Sequence, residues 1–272
     1  MKILTDYFNV NAERLKTKKL FLLDMDGTIY NENTIFPYTL GFLDAVKKAG
    51  ANYVFVTNNS SKSVDDYVKK VNKMGIKADE NNFYTSTMAS VAFMKKKYGD
   101  ALIYAQGTKS FISELIAGGL NVTEEYAPTA KAVLLGFDTE LTFEKLSVTS
   151  KMLCTTDADY YATHPDFVCP VEYGFVPDLG SMCFGLYKAS KKTPVYIGKP
   201  EPTMLLSAID KFGVKKCDAV VIGDRLTTDI ASGLNAEIDT VCVLSGEATI
   251  KDIEETVFKP DFVFENVSKI YF

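Results

Sequence analysis

The stretch 20-LFLLDMDGTIY-30 decides the fold. Four apolar residues, Leu20 to Leu23, run straight into Asp24-Met25-Asp26-Gly27-Thr28. A short run that is apolar at every position reads as a strand buried on both faces, the habit of a parallel sheet. Two carboxylates one residue apart at its end repel each other, and burying either is costly. In an extended segment residues i and i+2 point the same way, so Asp24 and Asp26 are expected to face one site. Gly27 permits a sharp turn after them, with Met25 turned into the core. Such a pair suits a nucleophile or metal ligand working beside a general acid/base. The plainer alternative is a turn whose Asp residues cap backbone N–H groups.

Working outward, the same kind of strand recurs at 52-NYVFVT, 132-AVLLGF, 195-VYIG, 218-DAVVIG and 238-IDTVCVL. Helical patterns fall over 38–49, 62–74, 87–98, 109–117, 142–154, 202–212, 227–235 and 249–256. Strand-helix alternation predicts an α/β fold with a parallel sheet wrapped by helices. Ligands in such folds sit beyond the carboxyl ends of the strands. Thr57-Asn58-Asn59, Gly198-Lys199-Pro200 and Gly223-Asp224 take that place, as Asp24 does. Between residues 87 and 190 the strand ends lack such groups. There, 164-HPDFVCPVEYGFVPDLGSMCFG-185 is punctuated by Pro and Gly. Two domains are expected: a core of 1–86 plus 191–272, and an inserted α/β domain of 87–190.

The second acidic motif is 223-GDRLTTD-229. A hard divalent cation wants oxygen ligands, and Mg²⁺ takes one or two carboxylates plus waters. Asp24 and Asp224 suit that task, with Asp229 orienting them from behind. A cation would also answer the repulsion in the opening stretch. The alternative makes Asp229 a first-turn helix acid favoured by the helix dipole. The stretch 57-TNNSSKS offers a hydroxyl and amides before a helix N-terminus, which suits a phosphate; simple N-capping by Ser60, Ser61 or Ser63 is the other reading. Lys199 is a solvated loop charge by itself, and beside several carboxylates it becomes their counter-charge. His164 is the single histidine, which more often makes a surface or satisfied polar residue than a catalyst and supports no triad or zinc centre.

The chain has 272 residues, 47% of them apolar and 24% charged, the balance of a globular protein. A net charge of −5 argues against a broad basic surface for nucleic acid. Five cysteines without a CxxC pair point to a reducing compartment and no disulfide framework. No stretch resembles a signal peptide or approaches the ~18 apolar residues of a membrane span. The expectation is a cytoplasmic protein with no membrane partner.

DMDGT, the strand ending at Thr57, Lys199 and GDRLTTD, in this order, resemble the four motifs of the haloacid dehalogenase-like hydrolase superfamily. The insertion, with DMDGTIY, GKPEP and GDRLTTDI, is similar to its class IIA branch of capped phosphatases. The resemblance implies a Rossmann-like core with an inserted α/β cap. It implies a Mg²⁺-dependent phosphatase acting on a small phosphorylated metabolite, such as a sugar phosphate or nucleotide monophosphate. Asp24 would be the nucleophile that forms an aspartyl-phosphate, and Asp26 the general acid/base. Thr57 and Asn58 would bind the phosphoryl oxygens, with Lys199 holding Asp24 and phosphate; Asn59, in the same stretch, is a further candidate for substrate binding. The metal would lie on the Asp24 side chain, the Asp26 carbonyl and Asp224, supported by Asp229. Two positions depart from the branch: His164, where an Asn is frequent, and Thr227, where an acid is common. The first makes His164 a candidate substrate contact. Members of the branch can dimerise through the cap. A non-catalytic phosphate-binding module and a phosphomutase are the competing readings.

Overall fold

The computed structural model describes residues 3–171 and 173–270. The chain divides into two compact units. The first comprises Met1–Thr57, Val64–Tyr84 and Lys199–Phe272, and the second Asn58–Ser63 and Thr85–Gly198. Against the expected insertion at 87–190, the second unit is longer at its end and also claims the segment after Thr57.

In the first unit, Leu20–Leu23 is a central strand of a six-stranded sheet. The order is Phe262–Phe264, Asp239–Val243, Ala219–Gly223, Leu20–Leu23, Asn52–Thr57, Phe83–Thr85. All four residues of the opening strand are buried. Burying such a side chain stabilises the fold by about 1.5–3 kcal/mol, which outweighs the modest β-propensity of leucine. Its pairings with Ala219–Gly223 and Asn52–Thr57 are parallel, with Leu23 opposite both Ile222 and Phe55. Parallel register brings the carboxyl ends level. Asp24 therefore leaves the sheet beside Gly223-Asp224 on one side and Val56-Thr57 on the other. Met25 is buried in the core cluster with Phe21, Phe42 and Phe55, as its alternation requires.

The second unit has its own parallel sheet, ordered Val195–Tyr196, Asp159–Ala162, Ala132–Leu135, Ile103–Gln106, Val122–Thr123. Tyr160 and Tyr161 are buried there. The Pro- and Gly-rich stretch becomes an antiparallel ribbon, Val168–Val171 against Gly174–Pro177, followed by a helix at Leu179–Ser190.

This sheet corrects one expectation. The run 195-VYIG was grouped with the strand ends of the core, yet Val195–Tyr196 pairs with Asp159–Ala162 of the second sheet. Short apolar runs look alike whichever sheet they join, because pairing is decided by tertiary contacts. Lys199 thus enters the first unit from a connecting segment ahead of the helix Thr203–Phe212.

Candidate active site

Three acids gather at the carboxyl ends of the first unit's central strands. Asp24, Asp224 and Asp229 each bring a carboxylate oxygen within 4.8 Å of the others. Parallel register delivers Asp24 and Asp224. Asp229 arrives by a different device: the expected helix 227–235 opens with a π-helical turn, Leu226–Ile230, before the α-helix Ala231–Ala236. Such wide turns are uncommon and frequent at functional sites. Asp229 is fully buried, with one oxygen 2.6 Å from Lys199 Nζ and the other accepting from the Arg225 N–H at 3.2 Å. It stands in the first turn of its helix and also anchors Lys199.

Lys199 lies among them. Its buried ammonium donates to Asp24 Oδ1 at 2.5 Å, to Asp229 Oδ1 at 2.6 Å and to the Val56 carbonyl at 3.2 Å. Burial pulls its pKa down, but the carboxylates of Asp229 and Asp24 outweigh that and raise it. The ammonium stays charged. Asp24 is pushed up to about 8, first by burial and then by the Asp229 charge, against the pull of Lys199. Asp224 is raised to about 6, again by burial and then Asp229. One ammonium does not balance three carboxylates.

The backbone is shaped around Asp224. Gly27 turns with φ +78°, and a Cβ there would lie 2.3 Å from Asp224 Oδ2. A Cβ on Gly246 would lie 2.0 Å from the same oxygen. The Glu247 N–H donates to Asp224 Oδ2 at 2.7 Å, and Ser245 Oγ ties down the Gly27 carbonyl at 2.7 Å. The loop 244–247 escaped the sequence reading, although it ends 238-IDTVCVL and the strand-end rule covers it equally.

The donor set fits a hard divalent cation: all-oxygen, surplus negative charge, and two glycines that keep carbon away from Asp224. Asp26 stands apart from the acid trio. It is exposed, and its Oδ1 accepts from the Glu32 N–H at 3.2 Å. A ligand from Asp26 would have to be its carbonyl oxygen.

The remaining expected residues divide between the units. Thr57 ends its strand in the first unit, half-buried. Asn58 and Asn59 belong to the second. Asn58 donates to Asp166 Oδ2 at 3.1 Å, and Asn59 Oδ1 accepts from the Ser61 N–H and hydroxyl at 2.9 and 2.7 Å. His164 is also in the second unit and 1% exposed. Both its ring nitrogens are engaged, Nδ1 with Thr163 Oγ1 at 2.9 Å and Nε2 with Asp178 Oδ1 at 3.0 Å. As placed, it has no nitrogen to offer a substrate. The acids around it, Asp166 and Asp178, drew no attention in the sequence, where nothing local marks them.

Known proteins share this arrangement of chain. Residues 21–121 match the haloacid dehalogenase-like hydrolase model, and residues 196–270 a HAD-hydrolase-like one. An acid sugar phosphatase of Staphylococcus saprophyticus is 31% identical over 256 residues, 94% of this chain and 98% of that one. The 4-nitrophenylphosphatase of Thermotoga maritima has 38% identity and a TM-score of 0.90, covering 95% of this chain and 98% of that one. A glycerol phosphate phosphatase of Mycobacterium tuberculosis, solved with magnesium, shares the fold at 24% identity and a TM-score of 0.87, over 95% of this chain and 78% of its own. The chain belongs to the haloacid dehalogenase-like hydrolase family, in its class IIA phosphatase branch.

Proposed function

We propose that the chain is a Mg²⁺-dependent phosphatase that hydrolyses a small phosphorylated metabolite, a sugar phosphate or a similar monoester, through an aspartyl-phosphate on Asp24. One observation carries this reading: three carboxylates gather within 4.8 Å, the Lys199 ammonium pairs with two of them, and Asp24 and Asp224 are held well above the carboxylate range. A nucleophilic carboxylate must be ionised at working pH, so the site calls for one more positive charge. The acid sugar phosphatase and the 4-nitrophenylphosphatase, each similar over nearly the whole chain, support the same chemistry.

Lys199 holds Asp24 through Oδ1, which aims the carboxylate and leaves its second oxygen to attack phosphorus. The P–O bond to the leaving group breaks as the Asp24 O–P bond forms. Asp26, exposed next to the turn, gives its proton to the departing oxygen. It then takes a proton from water, whose oxygen attacks the aspartyl-phosphate and frees inorganic phosphate and Asp24. Thr57, Asn58 and Asn59 are assigned to the phosphoryl oxygens. The Asp24 and Asp224 carboxylates and the Asp26 carbonyl would hold Mg²⁺, with Asp229 bracing Lys199. When bound, Mg²⁺ supplies neutralising charge to the transferring phosphoryl group. The second unit is assigned the role of a cap that reads the leaving group.

Turnover of p-nitrophenyl phosphate with and without Mg²⁺, in the wild type and in Asp24→Asn, tests the mechanism. Metal-independent turnover, or full activity in the variant, defeats it. A panel of phosphorylated metabolites then ranks substrates.

A further inference from the structure

The segment Asn58–Ser63 follows Thr57 directly, yet it packs with the second unit. It is held there by a chain of buried hydrogen bonds whose direction can be worked out. The Phe137 N–H donates to Ser60 Oγ at 2.8 Å. Ser60 Oγ meets Thr163 Oγ1 at 2.9 Å, Thr163 Oγ1 meets His164 Nδ1 at 2.9 Å, and His164 Nε2 meets Asp178 Oδ1 at 3.0 Å. Ser60, Thr163 and His164 are each at most 1% exposed.

At its far end the Asp178 carboxylate can only accept, and it already accepts from the Leu179 N–H at 2.6 Å. The His164 proton therefore sits on Nε2. With the ring neutral, Nδ1 accepts, and Thr163 donates to it. The Thr163 oxygen is then left to accept, and the Ser60 hydroxyl donates to it. Every donor in this chain has an acceptor, all pointing one way. The same segment is tied at both flanks: Asn58 Nδ2 to Asp166 at 3.1 Å, and Thr108 Oγ1 to the Ser61 carbonyl at 3.0 Å.

We infer that His164 and Thr163 are positioning residues, which hold Ser60 and through the backbone fix the conformation of Asn58, the residue assigned to phosphate. This rests on the assignment of Asn58 to phosphate made above. His164 acts through this relay and touches no substrate. Loss of one member should loosen the whole segment, because a buried chain with one partner missing leaves the next group unpaired.

Thr163→Val removes the middle hydroxyl at similar volume, and Thr163→Ser restores it. In Thr163→Val with Mg²⁺, KM for p-nitrophenyl phosphate and the inhibition constant of inorganic phosphate should rise about tenfold, the effect of one lost hydrogen bond, while kcat changes less. Amide exchange of residues 58–63 should quicken, and Thr163→Ser should return both readouts toward wild type. Ser60→Ala breaks the chain from the other end and serves if the valine variant does not fold. Unchanged exchange in a folded variant overturns the inference. Faster exchange with unchanged KM overturns it too, reducing the chain to a structural support. Wild-type protein that turns over no ester overturns the phosphatase reading instead, and amide exchange still decides whether the relay holds the segment.

Discussion

Among the described residues, two clusters have the composition of a metal site: Asp24, Asp224 and Asp229 in the first unit, and His164, Asp166 and Asp178 in the second. In the first, Lys199 pairs with Asp24 and Asp229, and burial raises the pKa values of Asp24 and Asp224. In the second, both imidazole nitrogens and both carboxylates are committed to protein groups. Buried polar groups bonded to protein partners make a fastening, whereas close carboxylates held above their ordinary range leave a place for a cation. Composition and proximity do not separate the two; their hydrogen-bond partners do.

The sharpest way to break this comparison is Asp24→Asn. Loss of the nucleophile should lower kcat for p-nitrophenyl phosphate by at least about 10⁴-fold, as removing a nucleophile does elsewhere. The variant should stay folded, which circular dichroism checks. Next comes Lys199→Ala. Removing one partner of a buried ion pair costs about 3–5 kcal/mol, so denaturant unfolding should show a loss of that order. Added Mg²⁺ should recover part of it, since it restores positive charge to the same acids.

Metal-free stability provides a finer test. The folded-state values of Asp24 and Asp224, about 8 and about 6, lie above their ordinary value of 3.8. Between pH 4 and 8 the folded protein then binds more protons than the unfolded chain, so stability falls as pH rises. Thermal unfolding in chelator should show Tm decreasing across that window, and Mg²⁺ should flatten the slope. A metal-free Tm that climbs from pH 4 to 8 would contradict the charge surplus. The smallest effect is expected in the fastening. Asp178→Ala removes a helix cap and the acceptor for His164, a cost of about 1–3 kcal/mol that should be equal with and without Mg²⁺.

Much of the first cluster was legible. Asp24 and Asp224 came from strand ends, because parallel strands bring carboxyl ends to one edge; Asp229 came with its motif, and Lys199 was reached through a strand that belongs to the other sheet. The same rule covers Gly246 and Glu247, which were overlooked after Val243. The second cluster was not legible. His164 looked like a substrate contact because it stood out in its motif. Its partner Asp178 lies 14 residues away and Ser60, the partner of Thr163, 103 from Thr163, and no spacing links them. The helix Leu179–Ser190 was hidden by prolines that belong to the ribbon before it.

By itself the sequence determined the strand-helix alternation, the turn at Gly27 and the acids that the family's chemistry requires, since burial and turn geometry are local. It did not determine which sheet Val195–Tyr196 joins, where Asn58–Ser63 packs, or which of Asp24 and Asp26 enters the acid cluster. Those are settled by pairing and charge balance between residues far apart in the chain. In 20-LFLLDMDGTIY-30 the two carboxylates look alike. Register against Ile222 and the reach of Lys199 draw Asp24 into the acid cluster and leave Asp26 at the surface.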